Sequence, residues 1–302
     1  MKPYFGYRKG RSTKDALRKI WKEVQEGREW ILDADLKGFF GSVDHEKLMT
    51  LVNQCVSDGR VLRLIESILK AGCYAEGKRI PTEQGTPQGG VISPLLANIY
   101  LNVLDTLWVV KRVEERLGAR LVRYADDCVI LCRGNTDRIL NGVRRVFDNL
   151  HLKLNEEKTR VVDARRESFN FLGFTIGMKR GRKTGKMYSH IEPSKKALKH
   201  VRSAIKQLTT ERYSATPTEV VIRRVNEVAR GWVGYFRFGN CTKAMSYLRY
   251  YLGYRMRIYI RRKHHYHSLG YKSYPDRYCY DSLGLYEVPT KAPWVQNVKA
   301  TG

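Results

Sequence analysis

Three aspartates have the spacing to do chemistry together. Asp126 and Asp127 are adjacent between the apolar runs Leu121-Val122 and Cys128-Val129-Ile130-Leu131, and Asp35 closes the run Trp30-Ile31-Leu32-Asp33-Ala34. Branched apolar runs bounded by polar residues read as strands, which puts Asp126-Asp127 at the tip of a β-hairpin. Asp33 and Asp35 share one face of their strand. Because 91 residues separate Asp35 from Asp126, only a fold can unite them. Carboxylates gathered in one place raise each other's pKa unless divalent cations neutralise them. Mg2+, a hard cation shared between carboxylates and phosphates, is the natural partner. Two such ions can activate a hydroxyl and stabilise a leaving phosphate. By itself, Asp126-Asp127 fits an ordinary turn equally well, because Asp is a common turn residue.

The elements that must position these acids are legible in outline. Ser12 opens a periodic stretch through Leu17, Ile20, Trp21 and Val24, and Gly27 closes it as a helix. After Asp35, a compact turn over 37–45 leads to a helix capped by Ser42 or Asp44, then to a second over 61–71. The glycine-dense loop 83–90 feeds a long helix with Ser93 as N-cap and Pro94 at its first position. A helix over about 136–150 follows the hairpin, with strands expected near 154–162 and 169–174. The stretch 177–186, rich in glycine and basic residues, is predicted to be a hairpin turn and a domain boundary. Three helical stripes follow, over 198–208, 220–232 and 247–258. From 268 onward the chain is irregular and rich in tyrosine.

Composition adds a partner class. The net charge of +26 is lopsided: residues 178–302 hold 26 basic and 7 acidic residues, against 30 and 23 in the first 177. A concentrated basic half beside a nearly balanced one suggests a module that grips a polyanion, attached to something else. The six cysteines, at 55, 73, 128, 132, 241 and 279, show no zinc-like pairing, and Cys128 and Cys132 read as core residues. A reduced, cytoplasmic setting without disulfides is expected. No apolar stretch approaches ~18 uncharged residues and no signal peptide is visible, so neither a transmembrane helix nor secretion is expected. His264-His265-Tyr266-His267 reads as a basic, exposed helix end.

In combination these segments resemble a known family. Asp35-Leu36-Lys37-Gly38-Phe39-Phe40, the run from Gln84-Gly85-Thr86-Pro87-Gln88-Gly89-Gly90 to Ser93-Pro94, and Tyr124-Ala125-Asp126-Asp127 look like palm motifs of reverse transcriptases. More closely, the chain resembles bacterial group II intron-encoded reverse transcriptase/maturases. Gly6-Tyr7-Arg8-Lys9-Gly10-Arg11-Ser12, Leu154-Asn155-Glu156-Glu157-Lys158-Thr159, Phe171-Leu172-Gly173-Phe174 and Arg230-Gly231-Trp232-Val233-Gly234-Tyr235-Phe236 all resemble family segments. The resemblance implies an α+β right-hand polymerase palm, an antiparallel sheet with packed helices, over 1–177 with partial fingers. A basic helical thumb/maturase domain over 178–265 and an irregular tail over 266–302 follow.

The resemblance also implies roles. Asp35, Asp126 and Asp127 would hold two Mg2+ ions, with Leu36 among the metal- and nucleotide-contacting positions. Phe40 would sit against the sugar of an incoming deoxynucleotide, or simply pack beside Phe39. Gln88 and Gly89 would contact the nucleotide or template, or form only a helix-leading loop. Lys158 would stand near the leaving phosphate, or be a surface lysine. Tyr124, Arg8, Arg11, Arg230, Arg237, Arg261, Arg262 and Lys263 would contact an RNA template, a DNA primer, an RNA–DNA heteroduplex or intron RNA. The implied activity is RNA-directed DNA polymerisation from deoxynucleoside triphosphates, with splicing assistance from the basic half. The alternative is a catalytically impaired, RNA-binding splicing helper, because the fingers that relatives carry ahead of Gly6 are not in the sequence and the chain reads as N-terminally truncated. An RNA-copying RNA polymerase is disfavoured by Ala125 ahead of the two acids and by Phe40. Neither a membrane nor a protein partner is implied.

Overall fold

The computed structural model describes residues 4–71, 73–75, 78–80, 84–86, 90–265 and 271–293. It divides into two compact units. One comprises 1–169 and 178–189, the other 170–177 and 190–302.

The first unit opens with α1 (Thr13–Gln25), whose start is fixed by a reciprocal box: the Ser12 hydroxyl accepts from the Asp15 amide while the Asp15 carboxylate accepts from the Ser12 amide. Strand β1 (Trp30–Ala34) follows, then the short α2 (Phe39–Ser42), α3 (His45–Asn53) capped by Asp44, and α4 (Gly59–Lys70) capped by Asp58. A small hairpin pairs β2 (Cys73–Ala75) with β3 (Lys78–Ile80). Next come α5 (Ser93–Val110), α6 (Val113–Leu117), β4 (Arg120–Tyr124), β5 (Asp127–Cys132), α7 (Thr136–Asn149) and β6 (Arg160–Asp163).

Four of these strands form one antiparallel sheet in the order β4-β5-β1-β6. Both faces are covered, and the two-residue strand period sorts the side chains. Leu32, Ala34, Cys128 and Ile130 join the core built with α3, α5 and α7. The alternate row, Ile31, Val129 and Leu131, is also buried, and α1 packs against β4 and β5. Asp33 lies opposite Val129, so the acids continue this second, apolar row toward the end of the sheet.

Two expectations change here. Ser93 is the first residue of α5 and Ile92 the cap, which moves Pro94 one place inward. The expected absence of a membrane-length helix also fails on length and composition: α5 is 18 residues long with a mean hydropathy of 1.2. One charge lies within it, Asp105, and Leu96, Ala97, Tyr100, Leu101, Leu104 and Trp108 are buried in the core. Burial within a sheet-and-helix core explains so apolar a helix as well as a bilayer does.

The chain leaves the first unit along β7 (Phe169–Phe171), β8 (Phe174–Arg180) and β9 (Met187–Pro193), a sheet in that order. The single strand expected near 169–174 is two strands, because Leu172 and Gly173 take positive φ (49° and 80°) and turn the chain back. Gly177 lies inside β8, so the predicted turn contracts to 181–186.

The second unit holds α8 (Lys195–Leu208), α9 (Thr218–Phe236) and α10 (Thr242–Lys263). Their facing stripes, including Val201, Ile205, Val225, Trp232, Met245 and Leu252, form its core. The stretch 271–293, expected to be irregular, carries a helical turn over Tyr278–Ser282 and is part of that core: Cys279, Leu285, Val288 and Ala292 are buried in the same cluster.

Candidate active site

The hairpin tip is tighter than two acids in a loop. Tyr124 pairs with Asp127, leaving Ala125-Asp126 as a two-residue turn with Asp127 as the first residue of β5. Ala125 has a φ of +58°, a left-handed conformation that such turns require and that alanine rarely adopts. It is held there by a buried network. Arg123, 1% exposed, donates from Nη1 to the Ala125 carbonyl at 2.8 Å and to Asn98 Oδ1 at 2.9 Å. Its Nε donates to Asp105 Oδ1 at 3.1 Å, and its Nη2 reaches Asp105 Oδ2. Asn98 Nδ2 donates in turn to the Gly6 carbonyl at 3.0 Å. Gly6 lies so close to the turn that a Cβ there would stand 2.5 Å from the Ala125 nitrogen. The Phe5 amide closes the ring with a 2.8 Å hydrogen bond to the Arg123 carbonyl.

Asp35 comes to the same end of the sheet from β1. Its amide nitrogen is 3.4 Å from Thr159 Oγ1, and its carbonyl accepts from the Asn155 amide at 2.8 Å. Lys158 Nζ stands 3.7 Å from Asp35 Oδ2, and Arg160 Nε 3.7 Å from Asp33 Oδ2. Next to it, the Leu36–Leu154 bridge joins the two segments once more.

The acids sense one another. Loss of hydration, then the charges of Asp126, Asp35 and Asp33, push the Asp127 carboxyl up to about 6. Burial chiefly raises Asp33 as well, against the pull of Arg160. Asp33 is the acid that sequence reasoning did not assign, although its shared face with Asp35 was visible. Among the described residues, however, no three acidic, histidine or cysteine side chains are close enough to hold an ion as they stand. The expected ligand set of Asp35, Leu36, Asp126 and Asp127 is therefore a crowded group, not a closed cage. Lys158 and Arg160 stand beside Asp35 and Asp33 and offset part of their charge. Hard carboxylate oxygens under mutual repulsion are the donor chemistry that a divalent cation relieves, so the residues fit the ion.

This crowding carries a stability prediction. An aspartate whose folded pKa rises from 3.8 to about 6 favours the fold fully below pH ~4, and that favour is lost as pH rises through 6. Asp127→Asn is therefore expected to raise the thermal midpoint at pH 7.5 in chelator, with the gain shrinking toward pH 4. Thermal unfolding across that range measures it, and an equal or lower midpoint at pH 7.5 contradicts the crowding.

Phe40 lies in α2, half-buried, with its ring edge-on to Phe39 at 5.3 Å. The glycine-rich loop docks directly onto this turn. Thr86 donates its amide to the Phe40 carbonyl at 2.6 Å, Gly85 donates to Val43 at 2.7 Å, and His45 Nε2 lies 2.6 Å from the Gly85 carbonyl. Gly85 has a φ of +92°, and a Cβ would meet the Phe40 carbonyl at 2.8 Å, so only glycine fits. Gln88 and Gly89 lie outside the described residues.

These features can be set beside known proteins. Residues 1–176 match the family model described as reverse transcriptase (RNA-dependent DNA polymerase), and residues 198–278 match the group II intron, maturase-specific domain. The chain belongs to the group II intron-encoded reverse transcriptase/maturase family. It is similar to the group II intron-encoded protein LtrA of Lactococcus lactis subsp. cremoris, 29% identical over 58% of this chain and 39% of that protein. It is likewise similar to protein YkfC of Escherichia coli, 31% identical over 59% of this chain and 56% of that protein. The chain thus spans from about two fifths to just over half of these relatives. Among solved structures, telomerase from Candida albicans superposes with a TM-score of 0.48 at 14% identity, covering 88% of this chain and 49% of that one.

The maturase-specific match falls on α8–α10. Of the basic residues assigned to nucleic acid there, several are engaged within the fold. Arg237 donates to the Lys291 carbonyl at 3.0 and 3.3 Å, and Lys263 to the Thr216 carbonyl at 2.6 Å. Arg230 is exposed and stacks 4.7 Å from the Tyr286 ring centre. Arg261 and Arg262 lie in the last turn of α10. Within the stripe over 247–258, Tyr251 is buried, whereas Tyr250 is 61% exposed. In the first unit, Arg11 donates to the Tyr4 carbonyl at 2.6 Å.

Proposed function

We propose that the chain is an RNA-directed DNA polymerase that extends a primer 3′-hydroxyl with deoxynucleotides, its helical unit binding intron RNA. The observation that carries this reading is the arrival of Asp35, just past β1, at the same end of the sheet as Asp126 and Asp127 of a braced hairpin, where loss of hydration first and then the charges of the neighbouring acids push Asp127 up to about 6. Reverse transcriptases use divalent metal ions. Here Asp35, Asp126 and Asp127, with Leu36 alongside, would hold two Mg2+, which supply Lewis-acid charge to phosphate oxygens and lower the pKa of the primer hydroxyl.

The remaining roles belong to the chain itself. The Arg123 network holds Asp126 at the turn. Lys158, beside Asp35, gives a proton to the leaving phosphate in this reading. Phe40, fixed through its carbonyl by Thr86, presents a ring that leaves no room for a 2′-hydroxyl. Gln88 and Gly89 contact the nucleotide or template. Tyr124 supports the primer end, and exposed cations such as Arg230 and Arg262 grip phosphates and give salt-dependent affinity.

Primer extension on an RNA template tests this: incorporation should need deoxynucleotides and Mg2+ and stop in chelator. Extension that persists in chelator sinks the reading. Tight RNA binding without any extension favours the splicing-helper alternative. Phe40→Ala should raise ribonucleotide incorporation relative to deoxynucleotide by at least about tenfold, the scale of one pocket contact. Unchanged sugar selectivity would leave Phe40 as packing only.

A further inference from the structure

A cavity of about 240 Å³ opens on the first unit between α5, α6 and α7, and no residue of the carboxylate site lines it. Its floor is apolar and buried: Leu104 and Trp108 of α5, Ile139 and Val143 of α7. Water is poorly held there, because an ordered water needs about two to four polar partners. The Trp108 indole N–H, the one polar side-chain group of the floor, already donates to the Ala119 carbonyl at 3.2 Å.

Gly142, in the middle of α7, forms part of the wall. Glycine inside a helix is unfavourable relative to alanine, so a position that keeps one usually needs a close approach or a left-handed backbone. Neither applies here. Its φ is outside the left-handed region, and a Cβ at Gly142 would meet nothing within 4 Å. What a side chain would take up is the cavity itself, so the glycine keeps it open.

The rim carries charge of one sign. Lys111 ends α5, and Arg138 lies in the first turn of α7, where the helix dipole disfavours a cation. Both are exposed, and among the described residues neither side chain makes an ion pair or a hydrogen bond. The acids of α6 are turned to other cations, Glu114 to Arg120 and Glu115 to Arg112. Two unpaired cations above an apolar floor complement a ligand that is anionic at one end and apolar at the other. On the scale at which about 150 Å³ of dry apolar cavity takes up benzene, about 240 Å³ takes a body of about ten carbons.

We propose that this cavity binds a free amphiphilic carboxylate, its chain between α5 and α7 and its head group on Lys111 and Arg138. The site needs no part of the polymerase reading.

Titration calorimetry of the full chain with decanoate below its micelle-forming concentration tests it, with decan-1-ol as the uncharged counterpart. Wild type should take up one equivalent of decanoate and hold decan-1-ol about tenfold more weakly, the size of two exposed ion pairs. Gly142→Leu fills the cavity mouth with a better helix former. It should weaken both ligands at least about tenfold, while its thermal midpoint without ligand matches or exceeds that of wild type. Lys111→Gln combined with Arg138→Gln should weaken decanoate about tenfold and leave decan-1-ol unchanged. No saturable decanoate binding by wild type, or wild-type affinity in Gly142→Leu, overturns the site. Wild-type decanoate affinity in the charge variant overturns the anionic ligand. A chain of net charge +26 should adhere to phosphatidylglycerol vesicles with or without the cavity. Weaker vesicle binding by Gly142→Leu would overturn the free acid in favour of a membrane lipid.

Discussion

Arg123→Met is expected to destabilise the first unit by about 3–5 kcal/mol, the usual cost of stripping one partner from a buried ion pair. Asp105 would lose its guanidinium partner on a helix that is otherwise apolar through the core. The loss extends to the hairpin, because the same guanidinium donates to the Ala125 carbonyl and to Asn98. Without it, the carbonyl of an alanine held at a φ of +58° loses its side-chain donor. Pairing the change with Asp105→Leu should recover most of the stability, since two apolar residues of similar volume replace a buried pair at little cost. Polymerase activity should not recover with it, because the turn that presents Asp126 still lacks its donor. Urea unfolding of the single and double variants measures the first effect. A loss below about 1 kcal/mol for Arg123→Met would show that the network is not holding the turn.

Asp126→Ala is expected to remove at least about 1,000-fold of the extension rate, the several kcal/mol that metal-borne charge stabilisation supplies. It should do so without harming the fold. Asp126 is half-exposed and makes no hydrogen bond or ion pair among the described residues, whereas its charge raises Asp127. Removing it relieves repulsion, so stability in chelator should hold or rise. Mg2+ should raise the thermal midpoint of the wild-type protein and raise that of the variant less, since an ion bound only by the fold stabilises it in proportion to affinity. Equal Mg2+ responses would separate Asp126 from the ion.

Much of the site was legible in the sequence because it is built from local signals. The Ser12 helix start, a cap at Ser42 or Asp44 and the strands around Asp35 and Asp127 are set by neighbours in the chain; the structure has the start and the strands in those places and gives the cap to Asp44. What escaped is what depends on distant partners. Asp105 is a lone acid in an apolar helix, and that oddity was the available signal, but its partner Arg123 is 18 residues away on another element. Asp33 was seen on the face of Asp35, yet only the register with Val129 shows that its charge reaches Asp127. The turn at Leu172-Gly173 was missed because Leu is an uncommon residue at positive φ. For Arg237 and Lys263, the charge was legible, but the backbone carbonyls of Lys291 and Thr216 that they also satisfy depend on distant segments. The stretch 271–293 looked irregular, yet it holds a helical turn at Tyr278–Ser282, and its sparse apolar side chains complete the second core.

The most direct measurement is single-turnover primer extension on an RNA template, with wild type and Asp126→Ala side by side in Mg2+ and deoxynucleotides. The carboxylate cluster at Asp35, Asp126 and Asp127 predicts extension by the wild type and a rate at least about 1,000-fold lower for the variant at matched RNA binding. Extension by Asp126→Ala at the wild-type rate would contradict it.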